Sequence, residues 1–144
     1  SNERKDILRK VISFIQDEKD NECIQLLFVC THNSRRSQFT QVWTKIASDF
    51  YNIENIHSYS GGTEVTACDK RTIDALKRNG IQVKVEMEDT LNPVYHLYYS
   101  NDKEEIICYS KLYKDEKNPQ KNFASIMTCS HADDNCPYLP GAKV

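Results

Sequence analysis

The feature that most constrains this chain is an apolar run that ends in a cysteine and is followed six residues later by an arginine. Residues 24–29 read IQLLFV, and this apolar character predicts a central parallel strand that is covered on both faces. Cys30 follows directly, and the mostly polar residues after it predict a tight loop. Arg36 and Ser37 then begin a helical pattern. The sequence therefore predicts a strand, a loop and a helix N-terminus around one point.

Such a loop suits a tetrahedral oxyanion. A helix N-terminus supplies unpaired backbone N–H groups and positive partial charge, and the Arg36 guanidinium adds a full charge. These groups bind an anion and favour the ionised thiolate of Cys30, which is the attacking form. Ser37 adds a hydroxyl that can cap the helix or hydrogen-bond the thiolate. The alternative is a buried strand-end cysteine beside a surface arginine.

Composition narrows the class of protein. A length of 144 residues with 39% hydrophobic content suits one domain with a real core. The net charge of -2 gives no argument for nucleic acid or an anionic membrane as a partner. The apolar runs are too short to span a bilayer, and no signal segment opens the chain. We therefore expect a reducing cytoplasm rather than a disulfide scaffold, although a removed leader stays an alternative.

The other elements before residue 81 predict a parallel sheet. Residues 5–18 predict an amphipathic helix that packs on the domain or on a partner, through Ile7, Leu8, Val11, Ile12 and Ile15. A second helix, 39–50, is predicted to bury Trp43. Strand 56–60 is expected to end in a sharp turn at Gly61-Gly62-Thr63, and helix 69–79 to stop at Gly80. Alternating strands and helices imply right-handed crossovers, with ligands at the carboxyl ends of the strands.

The pattern changes after residue 80. Apolar and polar residues alternate from Ile81 to Met87 and again in parts of 94–99 and 106–109. This alternation predicts an antiparallel hairpin or three-stranded meander within residues 81–122. Residues 123–128 then predict another core strand, which brings Cys129 to the same sheet edge as Cys30.

Cys129 and Cys136 form a second cysteine pair. In a helix they would lie about 10 Å apart along the axis, too far for a disulfide, so joining them requires a loop or unwinding. A movable pair beside a reactive thiol suggests a relay, in which Cys129 attacks a Cys30 adduct and Cys136 then attacks Cys129. The alternative is a buried Cys129 and a surface Cys136. His131 with both thiols lacks an obvious fourth ligand, so no metal site is expected.

Three segments carry a family resemblance. Residues 30–38, CTHNSRRSQ, resemble the anion loop of low-molecular-weight protein tyrosine phosphatases and of thioredoxin-coupled arsenate reductases, which share a three-layer α/β/α fold. Residues 60–63, SGGT, are similar to the family's Ser-Ala-Gly-Thr. Residues 128–137, TCSHADDNCP, resemble the redox segment of the reductases. The resemblance covers about residues 24–80 and 123–140. It leaves a helical extension, 1–22, and a hairpin insertion, 81–122, within a single domain, 1–144.

The resemblance implies roles for particular residues. Cys30 would be the nucleophile, Arg36 the oxyanion clamp and Ser37 the thiolate partner, with Cys129 and Cys136 as the relay. The oxyanion would be held by the loop residues, with Asn33 shaping the loop: Thr31, His32, Asn33, Ser34, Arg35 and Arg36.

The sequence departs from the family at three points. His32 stands where the family usually has glycine, so a positive φ there would cost some strain. Arg35 replaces a second loop cysteine and adds positive charge. No Asp-Pro pair supplies a general acid, and the family's last strand and helix have no evident counterpart. The 144 residues are therefore expected to be part of a longer protein.

The resemblance implies first a thiol-dependent arsenate reductase, with arsenate bound where phosphate or sulfate would also fit and a thioredoxin as reductant. No resident cofactor is expected. One alternative is a low-molecular-weight phosphatase that hydrolyses phosphotyrosine through a phosphocysteine and does not need Cys129 or Cys136. Another alternative is a non-catalytic oxyanion-binding or redox-sensing domain.

Overall fold

A computed structural model describes residues 1–135 and 138–144 of the chain. Cys136 therefore lies outside the described residues. In chain order the elements are α1 (Asn2–Asp17), β1 (Ile24–Cys30), α2 (Arg36–Phe50), β2 (Ile56–Gly62), α3 (Lys70–Arg78), β3 (Gln82–Glu86), β4 (Val94–Tyr98), β5 (Ile106–Cys108), β6 (Phe123–Met127) and α4 (Ser130–Asn135).

The centre of the fold is a parallel sheet in the order β2-β1-β6. Side chains alternate along β1, so Leu26 and Phe28 pack with Phe14 of α1 while Leu27 and Val29 pack in a separate cluster on the other face. This two-sided burial explains the unbroken apolar run and confirms the predicted central strand. The register pairs Cys30 with Gly62 and Val29 with Met127, so the carboxyl ends of all three strands meet at one edge.

The last residues of the chain extend this sheet beyond β6. Ala142 forms a parallel bridge with Phe123, and the Ser125 N–H donates to the Val144 carbonyl at 2.8 Å. The sequence analysis assigned no strand to residues 142–144. The sequence signal for a strand there is weak, because only three residues take part.

A second sheet, β3-β4-β5, is antiparallel and confirms the predicted meander. Leu97 of β4 and Cys108 of β5 are fully buried and share a core with Val42 of α2 and Leu76 of α3. The antiparallel sheet is thereby packed against the two helices that follow β1 and β2. Helix α3 begins at its Asp69 cap and is followed by Gly80 at φ +87°, as predicted.

Helix α2 buries Val42 in the core but not the whole apolar face that the sequence predicts. Trp43 is 40% exposed, so its expected place in the core is wrong. The buried stripe contains Gln38 and Gln41 instead, and the Ser60 hydroxyl donates to Gln41 Oε1 at 2.5 Å. These buried amides find their partners on β2 and in the loop after β1, and satisfying them sets the rotation of the helix.

Gly61 and Gly62 do not form the expected turn. Both belong to β2, and a Cβ added at Gly61 would lie 2.4 Å from Tyr113 Cα. At Gly62 it would lie 2.8 Å from the Asn33 nitrogen. The glycines are needed because two backbone segments approach the strand closely.

Helix α1 packs on the domain as predicted, but only part of the expected face is used. Phe14 is buried against β1, with Val11 and Ile15 partly buried beside it. Ile7, Leu8 and Ile12 are each about half exposed, at 52%, 54% and 51%. Within residues 1–135 and 138–144, no helix has the length and apolar character needed to cross a membrane.

Candidate active site

Cys30, Ser37 and Asn33 form a buried hydrogen-bonded chain at the carboxyl end of β1. Cys30 Sγ and Ser37 Oγ lie 3.0 Å apart, and the Asn33 amide donates to Ser37 Oγ at 2.9 Å. Asn33 occupies only one lone pair of the hydroxyl oxygen, so the Ser37 hydrogen is available to be donated to the sulfur. That hydrogen bond suits an ionised sulfur as acceptor. Ser37 therefore bonds the thiol rather than capping α2, whose cap residue, Arg35, makes no side-chain capping bond.

Asn33 is the residue that shapes the loop. It is fully buried with φ +46°, in the left-handed region that asparagine tolerates better than most residues. The positive φ thus lies at Asn33 and not at His32. Asn33 Oδ1 accepts from the Lys111 N–H at 3.0 Å, and Gln38 Nε2 donates to the Asn33 carbonyl at 3.0 Å.

The other loop carbonyls are bound by neighbouring segments. The Ser110 hydroxyl donates to the His32 carbonyl at 2.8 Å, and the Asp69 N–H donates to the Ser34 carbonyl at 3.0 Å. The Thr31 carbonyl accepts from the Glu64 N–H at 2.9 Å. In a trans peptide the N–H points away from the preceding carbonyl. The N–H groups of residues 32–35 are therefore directed away from these partners, as an anion cradle requires.

The two loop arginines differ in their surroundings. Arg35 Nε lies 3.8 Å from Asp69 Oδ2, so its charge is paired with the carboxylate that caps α3. Hydrogen bonds from Arg71, together with the charges of Arg71 and Arg35, lower the pKa of Asp69 to about 2. Arg36 is the first residue of α2, and its charge acts on the Cys129 thiol. Of the two loop arginines, Arg36 is therefore the one whose charge reaches the Cys129 thiol.

Cys129 follows β6 and contacts the first residue of the loop. Its sulfur lies 3.6 Å from Thr31 Oγ1. Burial raises the pKa of the Cys129 thiol, but hydrogen bonds from the Ala132 N–H and from Thr31, with the charge of Arg36, lower that pKa overall. The pairing of β1 with β6 therefore brings Cys129, stabilised as a thiolate, beside the loop that begins at Cys30.

His131 joins this arrangement through the same hydroxyl. Its Nδ1 lies 3.0 Å from Thr31 Oγ1, so Thr31 bridges His131 and Cys129. Sequence reasoning considered His131 only as a metal ligand. Among the residues that the structure describes, no three His, Cys, Asp or Glu side chains are grouped to hold a metal ion.

The remaining predicted site residues lie around the loop. The His32 imidazole is about half exposed, with Nε2 3.3 Å from Glu64 Oε2. Ser34 takes part through its carbonyl. Cys136 lies outside the described residues. Sequence reasoning missed the support from Ser110 and Lys111, because no local pattern signals a contact across 78 positions.

Comparisons with known proteins place the chain in a family. No protein-family profile matches it. Arsenate reductase of Staphylococcus aureus strain Newman is 32% identical over 117 residues, which span 80% of this chain and 67% of the relative. Arsenate reductase 1 of Staphylococcus saprophyticus is 32% identical and arsenate reductase 2 of Staphylococcus epidermidis 30% identical over 116 residues, with the same coverage of 80% and 67%.

The parallel sheet, with a loop from Cys30 to Arg36 after its central strand, gives the chain the three-layer α/β/α fold of the class that includes the low-molecular-weight phosphatases. Within that class, the identity to the three staphylococcal proteins assigns the family. The chain belongs to the arsenate reductase family.

Proposed function

We propose that this chain is a thiol-dependent arsenate reductase whose Cys30 attacks arsenate held by the loop of residues 31–36. The observation that carries the proposal is the 3.6 Å contact between Thr31 Oγ1 and Cys129 Sγ. A second thiol beside the loop that begins at the nucleophile suits reduction through a disulfide and has no part in phosphate ester hydrolysis. The names of the staphylococcal relatives support the same reaction.

The first step forms a sulfur–arsenic bond. The Cys30 thiolate, hydrogen-bonded by Ser37, attacks arsenic, and one arsenate hydroxyl takes a proton from solvent and leaves as water. The Arg36 guanidinium and the N–H groups of residues 32–35 neutralise the charge on the remaining oxygens. Arsenic stays in its pentavalent state in this step.

The second step transfers two electrons. The Cys129 thiolate attacks the Cys30 sulfur, so a disulfide forms and the sulfur–arsenic pair of electrons passes to arsenic. Arsenite leaves with trivalent arsenic, and the two thiols are oxidised. Cys136 then attacks the Cys129 sulfur and releases the Cys30 thiolate. A thioredoxin-like dithiol protein reduces the Cys129–Cys136 disulfide and closes the cycle.

Cysteine variants test this sequence of steps. With a thioredoxin system present, the unaltered chain is expected to sustain arsenite formation. Cys136→Ser should release about one arsenite per chain and then stop, because no thiol at position 136 can attack the Cys30–Cys129 disulfide and release Cys30. Cys129→Ser should release none. Cys23→Ser is the matched control, because Cys23 is exposed and lies just before β1, at the opposite end of that strand from the loop.

Sustained reduction by Cys129→Ser would refute the proposal. Hydrolysis of an aryl phosphate at equal rates by the unaltered chain and Cys129→Ser, without arsenate reduction, would instead identify a phosphatase. Sulfate or phosphate binding without either reaction would identify an anion-binding domain.

A further inference from the structure

We propose that His131 is the proton acceptor for the Cys129 thiol and that it acts through the hydroxyl of Thr31. The inference deepens the proposed function, because Cys129 must be a thiolate to attack the Cys30 adduct. It concerns a histidine that neither the loop motif nor the cysteine pair includes.

The geometry gives one hydroxyl two partners. Thr31 Oγ1 lies 3.6 Å from Cys129 Sγ and 3.0 Å from His131 Nδ1, and both distances are within hydrogen-bond reach for their atom types. With the imidazole proton on Nε2, Nδ1 accepts the hydroxyl hydrogen of Thr31. The Thr31 oxygen is then free to accept the hydrogen of the Cys129 thiol.

Two short proton shifts along this chain ionise the thiol. The sulfur proton passes to the Thr31 oxygen while the Thr31 proton passes to His131 Nδ1. Cys129 loses one proton, His131 gains one, and Thr31 gains one and loses one. The products are a thiolate that accepts a hydrogen bond from Thr31 and an imidazolium that donates one to it. This is the protonation state that the disulfide-forming step uses.

The surroundings favour the thiolate that results. The charge of Arg36 on α2 stabilises the thiolate, and it helps to lower the pKa of Cys129. Asp134 lies three residues after His131 in α4, a spacing at which helical side chains are neighbours. The cavity that Cys129 lines also contains charged side chains from α1 and α4, and the Cys30 thiol directly precedes Thr31 in the chain; these charged residues are Glu3, Arg4, Lys10 and Asp133. Thr31 is buried whereas His131 is exposed, so the imidazolium can release its proton to water.

Alkylation of Cys129 tests the inference without arsenate. The reduced chain would be treated with iodoacetamide across pH 5–10, and labelling would be located by fragmenting the peptide that contains Cys129 and Cys136. Since thiolate is the reacting form, the pH midpoint reports ionisation of Cys129. His131→Ala is expected to raise that midpoint by about one pH unit, which slows labelling about tenfold below both midpoints.

Two further variants separate proton transfer from simple positioning. The amide of His131→Asn can accept the Thr31 hydrogen bond but cannot take the proton, so we expect it to resemble His131→Ala. Thr31→Val should reproduce the shift, and Thr31→Ser should restore the original midpoint. His57→Ala is the matched control, because His57 is an exposed histidine on β2, at the other edge of the parallel sheet from β6.

An unchanged midpoint in His131→Ala would overturn the inference. So would a midpoint in His131→Asn equal to that of the unaltered chain, because His131 would then only orient Thr31. A shifted midpoint in a chain that does not reduce arsenate would retain the inference about Cys129 and refute only the proposed reaction.

Discussion

Replacement of Asn33 by alanine should be among the most destabilising changes in the anion loop. Two hydrogen bonds of the Asn33 side chain are lost, those to Ser37 Oγ and from the Lys111 N–H. Lys111 is only 6% exposed, so its N–H would be left buried and unpaired. Alanine would also have to adopt φ +46°, where a Cβ without a compensating local hydrogen bond is disfavoured.

Each of these losses has an approximate cost in free energy of unfolding. An orphaned buried N–H costs about 1–3 kcal/mol. The left-handed conformation costs about 1–2 kcal/mol for alanine. Ser37 keeps Cys30 as a hydrogen-bond partner, so losing the bond from Asn33 to Ser37 costs less free energy. Together these losses give about 3 kcal/mol for Asn33→Ala, with the hydrogen bonds contributing more than the backbone.

Urea denaturation followed by far-UV circular dichroism measures this loss, because a chain of this size is expected to unfold in one step. Asn52→Ala is the matched control, since Asn52 has φ +53° but is exposed. We expect it to lose only the backbone contribution, about 1 kcal/mol. Asn33→Gly should regain about 1 kcal/mol over Asn33→Ala, because glycine adopts this conformation freely. If Asn33→Ala were no less stable than Asn52→Ala, the hydrogen-bond argument would be wrong.

Three further predictions follow from the fold and the site. Gly61→Ala should lower the urea midpoint, because its Cβ would lie 2.4 Å from the Tyr113 backbone and β2 would have to move. Hydrogen bonds that His96 donates to Glu86 and Glu105 raise the pKa of His96 above its ordinary value, so the stability they add is present at low pH and lost as the pH rises through the folded-state pKa. Thermal unfolding of the unaltered chain and His96→Gln should therefore differ at pH 5 and converge at pH 9. Arg36→Lys should weaken sulfate binding by at least about tenfold in calorimetry, since an ammonium cannot bind two oxygens in parallel; equal affinity would contradict the role of Arg36 as the clamp.

The parallel sheet could be predicted because its signals are local. The run before Cys30 is apolar on both faces, and the polar residues after it leave little choice but a loop. The antiparallel sheet could be predicted equally well, since Val83, Val85 and Leu97 alternate with polar neighbours. Patterns of this kind depend only on neighbouring residues.

The mistakes came from contacts between distant segments. Trp43 fits the same apolar stripe as the buried Val42, but the buried face of α2 also takes in the hydrogen-bonded amides of Gln38 and Gln41, and Trp43 is left at its exposed margin. Gly61 and Gly62 were assigned to a turn because glycine permits one, whereas here they permit close backbone contact. In each case the deciding partner lies many residues away. A single sequence does not reveal such a partner.

The same reasoning applies to the candidate site. The spacing of Cys30, Arg36 and Ser37 can be read directly from the sequence. The strand order then brings Cys129 beside the loop that contains them. The bridge from Thr31 to His131 depends on side-chain positions after two different strands. Its only sequence signal is that His131 comes two residues after Cys129.

The support that Ser110 and Lys111 give to the anion loop limits how this protein can be re-engineered. Residues 109–113 run beside Gly62 and hold the carbonyl of His32 and the amide of Asn33. A chimera that exchanges only the outer turns of the meander would keep these contacts. A chimera that replaces residues 109–113 as well would remove the contacts that support the loop after Cys30.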